Sequence, residues 1–398
     1  MRTETEELIL LKNIFSDPIA ANYKKALEER NATDYARAYE LLLECDHEDR
    51  FGEYIARKIL FDDNLFAKRA FEGNLTPHIR EAYRRDLIIL QNFAKAADSL
   101  AEKLALPKDY PCIRYGDNNS LFGPCWSSER SISSAEEFYR KNGYGIFIGS
   151  KAFTFENGNL CPVRNTSDIS LSDLKDYETE KRLVEDNVVN FVQGLPFTNM
   201  LLYGDKGTGK SSTVHAVLNK YAEKGLRAVE IPKNQIKEIN AVKELLAALP
   251  FKFLLFIDDL SLEEHDENVT SLKASLEGSM NEKSANVMIA ATSNRRHILK
   301  ENFSDRENSV HARDTMEEQL SLSDRFGLTV CFSSTGKNEY LSIVRQLAED
   351  AKITMPQEEL FSLAERWALI KGGRSPRRAK QFIDYIYSCT AKGSDIYF

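Results

Sequence analysis

The chain has 398 residues, too many for one ordinary domain, and its 42% hydrophobic and 29% charged side chains suit a globular protein with a sizeable core. A net charge of −8 excludes a protein whose whole surface is a nucleic-acid ligand, though not a local basic patch. Six scattered cysteines without a C-x-x-C pair exclude a zinc ribbon and a disulfide framework, and no apolar stretch approaches the length of a membrane span, so a cytoplasmic protein is expected.

Residues 1–105 carry apolar side chains at helical spacing: Leu8, Leu11, Ile14 and Phe15, then Tyr35, Tyr39 and Leu42, then Leu87, Leu90, Phe93 and Ala97. Breaks at Ser16–Pro18, Gly73–Pro77 and Leu106–Pro111 punctuate them. A helical N-terminal domain is expected, one that docks a protein partner or packs on the remainder. Residues 106–170 read as a connecting segment. Its first part is turn-rich, and there Cys112, Cys125 and Trp126 suit loop packing better than metal. Its second part has strand chemistry at Tyr144–Ile148, Ala152–Glu156 and Asn159–Val163, with Asn157-Gly158 between the last two as a hairpin signal.

Leu171–Phe191 carries a helix-start signal and a helical pattern. The apolar run Met200–Tyr203 then stops at Gly204, and Asp205, Lys206, Gly207, Thr208, Gly209, Lys210 and Ser211 complete G-x-x-x-x-G-K-[ST], with Ser212 following. Glycines at this spacing let the backbone curl so that successive N–H groups face one anion at the start of a helix. Lys210 is placed to reach the β- and γ-phosphates of a nucleotide, and the Ser211 hydroxyl to ligate Mg²⁺.

Beyond the helix, the RAVEIP segment reads as a strand and Glu238–Leu249 as a helix. Phe253–Ile257 is a buried-strand run ending in Asp258 and Asp259. In parallel sheets ligands gather at the carboxyl ends of strands. We assign Asp258 to the metal and Asp259 to the attacking water, with Glu263 and Glu264 as loop residues next in line. A further strand, Asn286–Thr292, ends near Asn294, whose amide is suited to touch the γ-phosphate. Ile298–Gln319 is charged and turn-rich, an insertion loop; Lys337–Ala351, Gln357–Ile370 and Arg378–Ser388 read as amphipathic helices of a lid.

Taken in this order, the P-loop, Asp258-Asp259, Asn294, LSLSDRFGL and GGRSPRRAKQFID resemble an AAA+ ATPase. Together with IDDLSLE and ATSNRRH they are closest to a prokaryotic AAA+ family of unknown function, over roughly residues 140–390. The resemblance implies a P-loop core with a small helical lid, Asn294 as first sensor, Arg325 as arginine finger, Arg377 as second sensor with Arg374 as the fallback, and Tyr177 near the adenine. Two positions depart from the pattern. Asp259 stands where AAA+ proteins usually carry Glu, which points to weak or partner-stimulated hydrolysis, and Asp176 stands where Gly is expected. The residues themselves agree on the arginines. Arg325 precedes a strand after a polar turn, where a cation can project toward a neighbour's γ-phosphate; Arg377 opens a helix behind Ser375-Pro376.

The expected fold is α/β: a doubly wound parallel-sheet P-loop core (171–335), a C-terminal helical lid (336–398) and an N-terminal, mostly helical domain. The expected function is binding and Mg²⁺-dependent hydrolysis of ATP, coupled to remodelling or loading a macromolecular partner, in an ATP-favoured homo-oligomer. A nucleotide-dependent switch with negligible turnover and a small-molecule P-loop kinase are the alternatives, the latter disfavoured by Arg325 and the lid. A protein partner is expected; DNA follows only from analogy with helicase loaders, and no membrane contact is foreseen.

Overall fold

Prolines and capping side chains divide the first part of the chain into short helices: α1 (Pro18–Glu29), α2 (Ala32–Leu43), α3 (Phe51–Phe61), α4 (Leu65–Glu72), α5 (Pro77–Lys95), α6 (Ala97–Lys103) and α7 (Glu129–Asn142). Asp17 caps α1 by accepting from the Ile19 and Ala20 N–H groups, and Pro18 fills the first helical position, where no donor is needed. Asn64 and Thr76 cap α4 and α5 in the same manner. The computed structural model describes residues 4–116, 120–263, 267–277, 285–294, 299–300 and 322–397. It divides into two compact units, Met1–Ser150 and Lys151–Phe398.

The core of the first unit is aromatic. Tyr23 packs against Phe51 at 4.4 Å and Phe93 at 4.9 Å, and Phe66 stacks on Tyr83 at 3.8 Å. One charge is buried with them. Asp86 of α5 is fully buried and accepts from the backbone N–H groups of Ile9 (2.9 Å), Leu10 (2.7 Å) and Leu11 (2.9 Å), which ties the N-terminal segment to the bundle.

The unit boundary differs from the sequence expectation. Residues 106–150 belong to the first unit instead of forming a connector. Arg114 N–H donates to the Glu48 carbonyl, Phe51 N–H donates to the Arg114 carbonyl, and the Tyr139 hydroxyl of α7 donates to the Ile59 carbonyl. Nor is Tyr144–Ile148 a strand: Gly145–Phe147 forms a single 3₁₀ turn.

The second unit is built on a seven-stranded sheet of β1 (Ala152–Glu156), β2 (Asn159–Pro162), β3 (Met200–Gly204), β4 (Leu226–Glu230), β5 (Lys252–Ile257), β7 (Val287–Ser293) and β9 (Leu328–Phe332), in the order β2-β1-β4-β5-β7-β3-β9. A separate parallel pair joins β6 (Leu262–Glu263) to β8 (Leu299–Lys300). The hairpin lies where expected, with Asn157 and Gly158 both at positive φ (49° and 81°), as a tight two-residue turn requires. Through β1 it adds to the sheet, running parallel to β4. Only β2 is antiparallel, and β5 and β7 are almost wholly buried, the pattern of strands covered on both faces.

Helices α8 (Glu178–Gln193), α9 (Lys210–Tyr221), α10 (Ile239–Ala247) and α11 (Glu267–Glu277) accompany the sheet. Helix α8 starts later than its periodicity suggests, because Asp176 and Tyr177 both take the left-handed conformation (φ 71° and 59°) and residues 171–177 form turns. The lid is α12 (Lys337–Asp350), α13 (Gln357–Ile370) and α14 (Pro376–Lys392), packed around Tyr340, Trp367 and Phe382. Among the described residues no helix is long and apolar enough to cross a membrane.

Asp86 gives the first prediction. Asp86→Ala strands buried backbone donors and lowers the stability of the first unit by about 2–4 kcal/mol. The chain has two tryptophans, one in each unit, so urea unfolding followed through Trp126 in a Trp367→Phe background reads this directly. A shift below about 0.5 kcal/mol would mean that the N-terminal segment is held by its apolar contacts alone.

Candidate active site

The carboxyl end of β3 turns into the P-loop at Gly204, where φ is 132° and a Cβ would stand 2.0 Å from the Phe332 carbonyl oxygen. Only glycine allows the loop to leave the sheet this close to β9, and Asp205 N–H donates to that same carbonyl at 3.2 Å. Gly209, at φ 100°, precedes α9 and offers no side-chain cap, which leaves the first-turn N–H groups of α9 facing the loop. Within the loop the Thr208 hydroxyl braces the Asp205 carbonyl at 2.9 Å.

Lys210 is buried, with 7% exposure, and its Nζ donates to the carbonyls of Gly204 and Asp205, each at 2.7 Å. Burial lowers its pKa, against the pull of Asp205, Asp259 and Asp258. A desolvated ammonium held by neutral carbonyls is suited to an anion brought into the loop.

Beside it, the Ser211 hydroxyl donates to Asp258 Oδ1 at 2.6 Å, and the Thr292 hydroxyl donates to the same oxygen at 2.6 Å. Thr292 also accepts from the Asp259 N–H at 2.9 Å, so one buried hydroxyl fixes both consecutive aspartates. Asp259 takes a left-handed backbone (φ 51°). Its Oδ1 accepts from the Asn294 Nδ2, and its Oδ2 lies 3.5 Å from Lys233 Nζ. Asn294 Oδ1 in turn faces Lys210 Nζ at 3.4 Å. Thr292 and Lys233 are the residues that sequence reasoning missed. Thr292 had one signal, a hydroxyl at the end of an otherwise apolar strand; Lys233 had none beyond its place after β4. Glu264 lies outside the described residues, as do Arg295, Arg296 and the Ile298–Gln319 insertion apart from β8; Glu263 belongs to β6.

The lid reaches the loop through α14. Ser375 caps this helix by accepting from Arg378 N–H, and the Arg377 N–H donates to the Gly207 carbonyl at 3.1 Å. A Cβ on Gly207 would come within 3.2 Å of Arg377 Cβ, so glycine here also serves the approach of the lid. Arg377 lines the cleft. Arg374 does not: its guanidinium forms a two-point bridge to Glu365 of α13 (3.0 and 2.7 Å), which holds the Glu365 carboxyl below its ordinary pKa.

These groups surround a cleft of about 1120 Å³. Lys206–Ser212, Asp258, Asp259, Thr292, Asn294 and Arg377 line it, with apolar side chains of Ile169, Leu174, Ile343 and Leu347, the Tyr177 side chain, and charged residues that include Asp173, Lys175, Asp350 and Lys380. A phosphate-binding loop in a cleft that also holds apolar side chains fits a nucleoside triphosphate, and the Ser211–Asp258 pair supplies hard oxygens suited to Mg²⁺. Asn219 donates from Nδ2 to the carbonyls of Ser167 (2.8 Å) and Ile169 (2.7 Å), fixing a stretch of chain that lines the cleft.

Arg325 does not line the cleft. It precedes β9, whose far end, Phe332, meets the P-loop, and a strand of that length puts roughly 13–17 Å between its two ends.

Residues 149–390 match a protein family described as "Protein of unknown function (DUF815)". No curated protein matches the chain. Among solved structures the chain is similar to the Thermotoga maritima RuvB Holliday junction branch migration motor, at 15% identity and a TM-score of 0.41, covering 57% of this chain and 67% of that one. Two point variants of the same RuvB match at 16% identity with the same TM-score and coverage.

Two substitutions test the site. Lys210→Ala weakens binding of a nucleoside triphosphate by about 2–3 kcal/mol, the scale of a charge-assisted hydrogen bond. Titration calorimetry that returns the parental affinity would remove the assignment. Thr292→Val keeps the shape of the strand end but releases both aspartates. We expect the Mg²⁺ concentration for half-maximal nucleotide binding to rise about tenfold, the effect of losing a group that orients a metal ligand.

Proposed function

The chain belongs to the DUF815 family and folds as a parallel-sheet P-loop core with a helical lid, and we propose that it is an AAA+ type ATPase that binds MgATP, hydrolyses it slowly and couples this to remodelling a macromolecular partner. One observation carries the reading. Ser211, Asp258, Thr292, Asp259, Asn294 and Lys210 form a continuous hydrogen-bonded chain across the carboxyl ends of three adjacent strands.

In this reading the P-loop N–H groups and Lys210 bind the phosphates, and Ser211 with Asp258 holds the metal. Mg²⁺, when bound, neutralises charge on the β- and γ-phosphate oxygens. Asp259 orients the attacking water and takes its proton, while the Asn294 amide keeps that carboxylate in place. Arg377 brings positive charge from the lid to the phosphates.

Both carboxylate oxygens of Asp259 already have protein partners, Asn294 and Lys233, and its side chain is one methylene shorter than the Glu usual in AAA+ proteins. This supports low basal turnover, raised when a partner rearranges the site. The same observation favours a second reading, a nucleotide-dependent switch that cycles by exchange and barely hydrolyses. Arg325, distant from its own P-loop, acts in trans on a neighbour's γ-phosphate, which makes assembly a condition of activity. The first unit docks the protein partner.

Asp259→Asn retains MgATP binding and loses turnover; a variant hydrolysing at the parental rate would show that another group activates the water. Arg325→Ala binds ATP normally and hydrolyses it about 10³-fold or more slowly. Mixing Arg325→Ala with Lys210→Ala restores part of the activity, since one mixed interface joins an intact P-loop to an intact arginine. A monomer with unchanged turnover in Arg325→Ala would reduce Arg325 to a surface residue.

A further inference from the structure

Tyr177 is placed to do more than wall the cleft. Tyr177 and Phe332 both line the cleft, their rings 5.3 Å apart between centroids, while the Tyr177 hydroxyl bonds to residues that do not line it. The hydroxyl donates to the Ser333 carbonyl at 2.6 Å and pairs with the Thr335 hydroxyl at 3.1 Å. Burial raises the phenol pKa, so the donor keeps its proton. Ser333 to Gly336 is the whole connection between β9 and α12, the first lid helix. The residue before it, Phe332, gives its carbonyl to the P-loop at Asp205. The hinge of the lid is therefore held on one side by the start of the P-loop and on the other by Tyr177.

The same turn also holds the opposite end of α12. Lys175 Nζ lies 2.7 Å from a carboxylate oxygen of Asp350, the last residue of that helix. From a single turn, residues 175 and 177 thus hold the last residue of α12 and the connection that leads into it. That turn has two consecutive non-glycine residues, Asp176 and Tyr177, in the left-handed region, a strained conformation of the sort retained where surroundings over-determine it. Lys181 braces the turn, its Nζ donating to the Leu174 carbonyl at 2.6 Å.

We propose that Tyr177 is a positioning residue that couples nucleotide occupancy to the orientation of the lid, its ring facing the bound nucleotide and its hydroxyl setting the hinge at Ser333–Gly336. This rests on the ATP reading above. A base seated against the ring fixes the Asp176–Tyr177 turn, and the two hydroxyl contacts carry that restraint into α12. The Lys175–Asp350 pair is largely solvent-exposed on the Asp350 side and adds little of its own.

Hydrogen exchange at peptides covering residues 333–340 tests the proposal in the full chain. In nucleotide-free protein, Tyr177→Phe keeps the ring and removes the hydroxyl, and exchange there rises about tenfold, the effect of losing one or two hydrogen bonds on local opening. Thr335→Val, outside the cleft, produces a smaller rise in the same peptides. Adding a non-hydrolysable ATP analogue protects these peptides and the lid in the parent; in Tyr177→Phe that protection is mostly lost, although calorimetry shows the analogue bound. Unchanged exchange in both variants overturns the hinge role. Full analogue-induced protection in Tyr177→Phe overturns the coupling. A parent that binds no analogue by calorimetry overturns the ATP reading and the coupling with it, while the nucleotide-free comparison still reports on the hinge.

Discussion

The parallel register of β5, β7 and β3 is the constraint on which the rest of the site depends. Ile257 pairs with Ala291, and Leu202 pairs with Thr292. That alignment brings Asp258 and Asp259, just past the end of β5, beside Thr292 of β7 and across from the loop that follows β3. A slip of one residue would turn Thr292 to the other face of the sheet and separate the aspartates from Ser211. The strands are nearly all apolar and buried on both sides, so the register is strongly specified by packing. In β7 the polar side chains, Thr292 and Ser293, stand at the carboxyl end, where the sheet meets the cleft.

Burial and charge are balanced in that cleft by an uneven distribution of partners. Lys210 is surrounded by carbonyl dipoles at hydrogen-bonding distance and by carboxylates only at longer range. Asp258 is held by two hydroxyls. Each retains capacity for the opposite charge of an incoming phosphate or metal. Where the molecule needs rigidity instead, it pairs full charges in two-point geometry, as Arg374 does with Glu365 between two lid helices. Arg377, three residues later, keeps its place at the cleft through a backbone bond to Gly207, so its position follows the conformation of the P-loop.

The two units reach stability by different routes. The second is an apolar sheet covered by helices; the first relies on clustered aromatic rings and a buried carboxylate gripping the N-terminal segment. A carboxylate that accepts from three backbone donors orders a chain segment whose helical apolar spacing, Leu8, Leu11, Ile14 and Phe15, does not produce an α-helix. This is how residues before α1 join a bundle in which they form only short 3₁₀ turns.

What could be read from the sequence was local. The glycine spacing of the P-loop, the Asn157-Gly158 turn, the apolar strands from β3 to β7 that carry the site and the three lid helices each depend on a few consecutive residues, and each lies where the pattern placed it, whereas Tyr144–Ile148 does not form the strand its pattern suggests. The grouping of residues 106–150 with the first helices was not legible, because it rests on backbone bonds such as Arg114 to Glu48 that leave no periodic trace. Periodicity placed the start of α8 too early, since it reports which faces are apolar and not where two residues adopt left-handed dihedrals. Pairing Arg374 with Glu365, finding Thr292 and Lys233, and turning the Tyr177 hydroxyl toward the hinge all required the tertiary structure. Each is a hydrogen bond or ion pair between segments distant in sequence, and such contacts exist only after strand register and helix packing have brought their partners within about 3 Å.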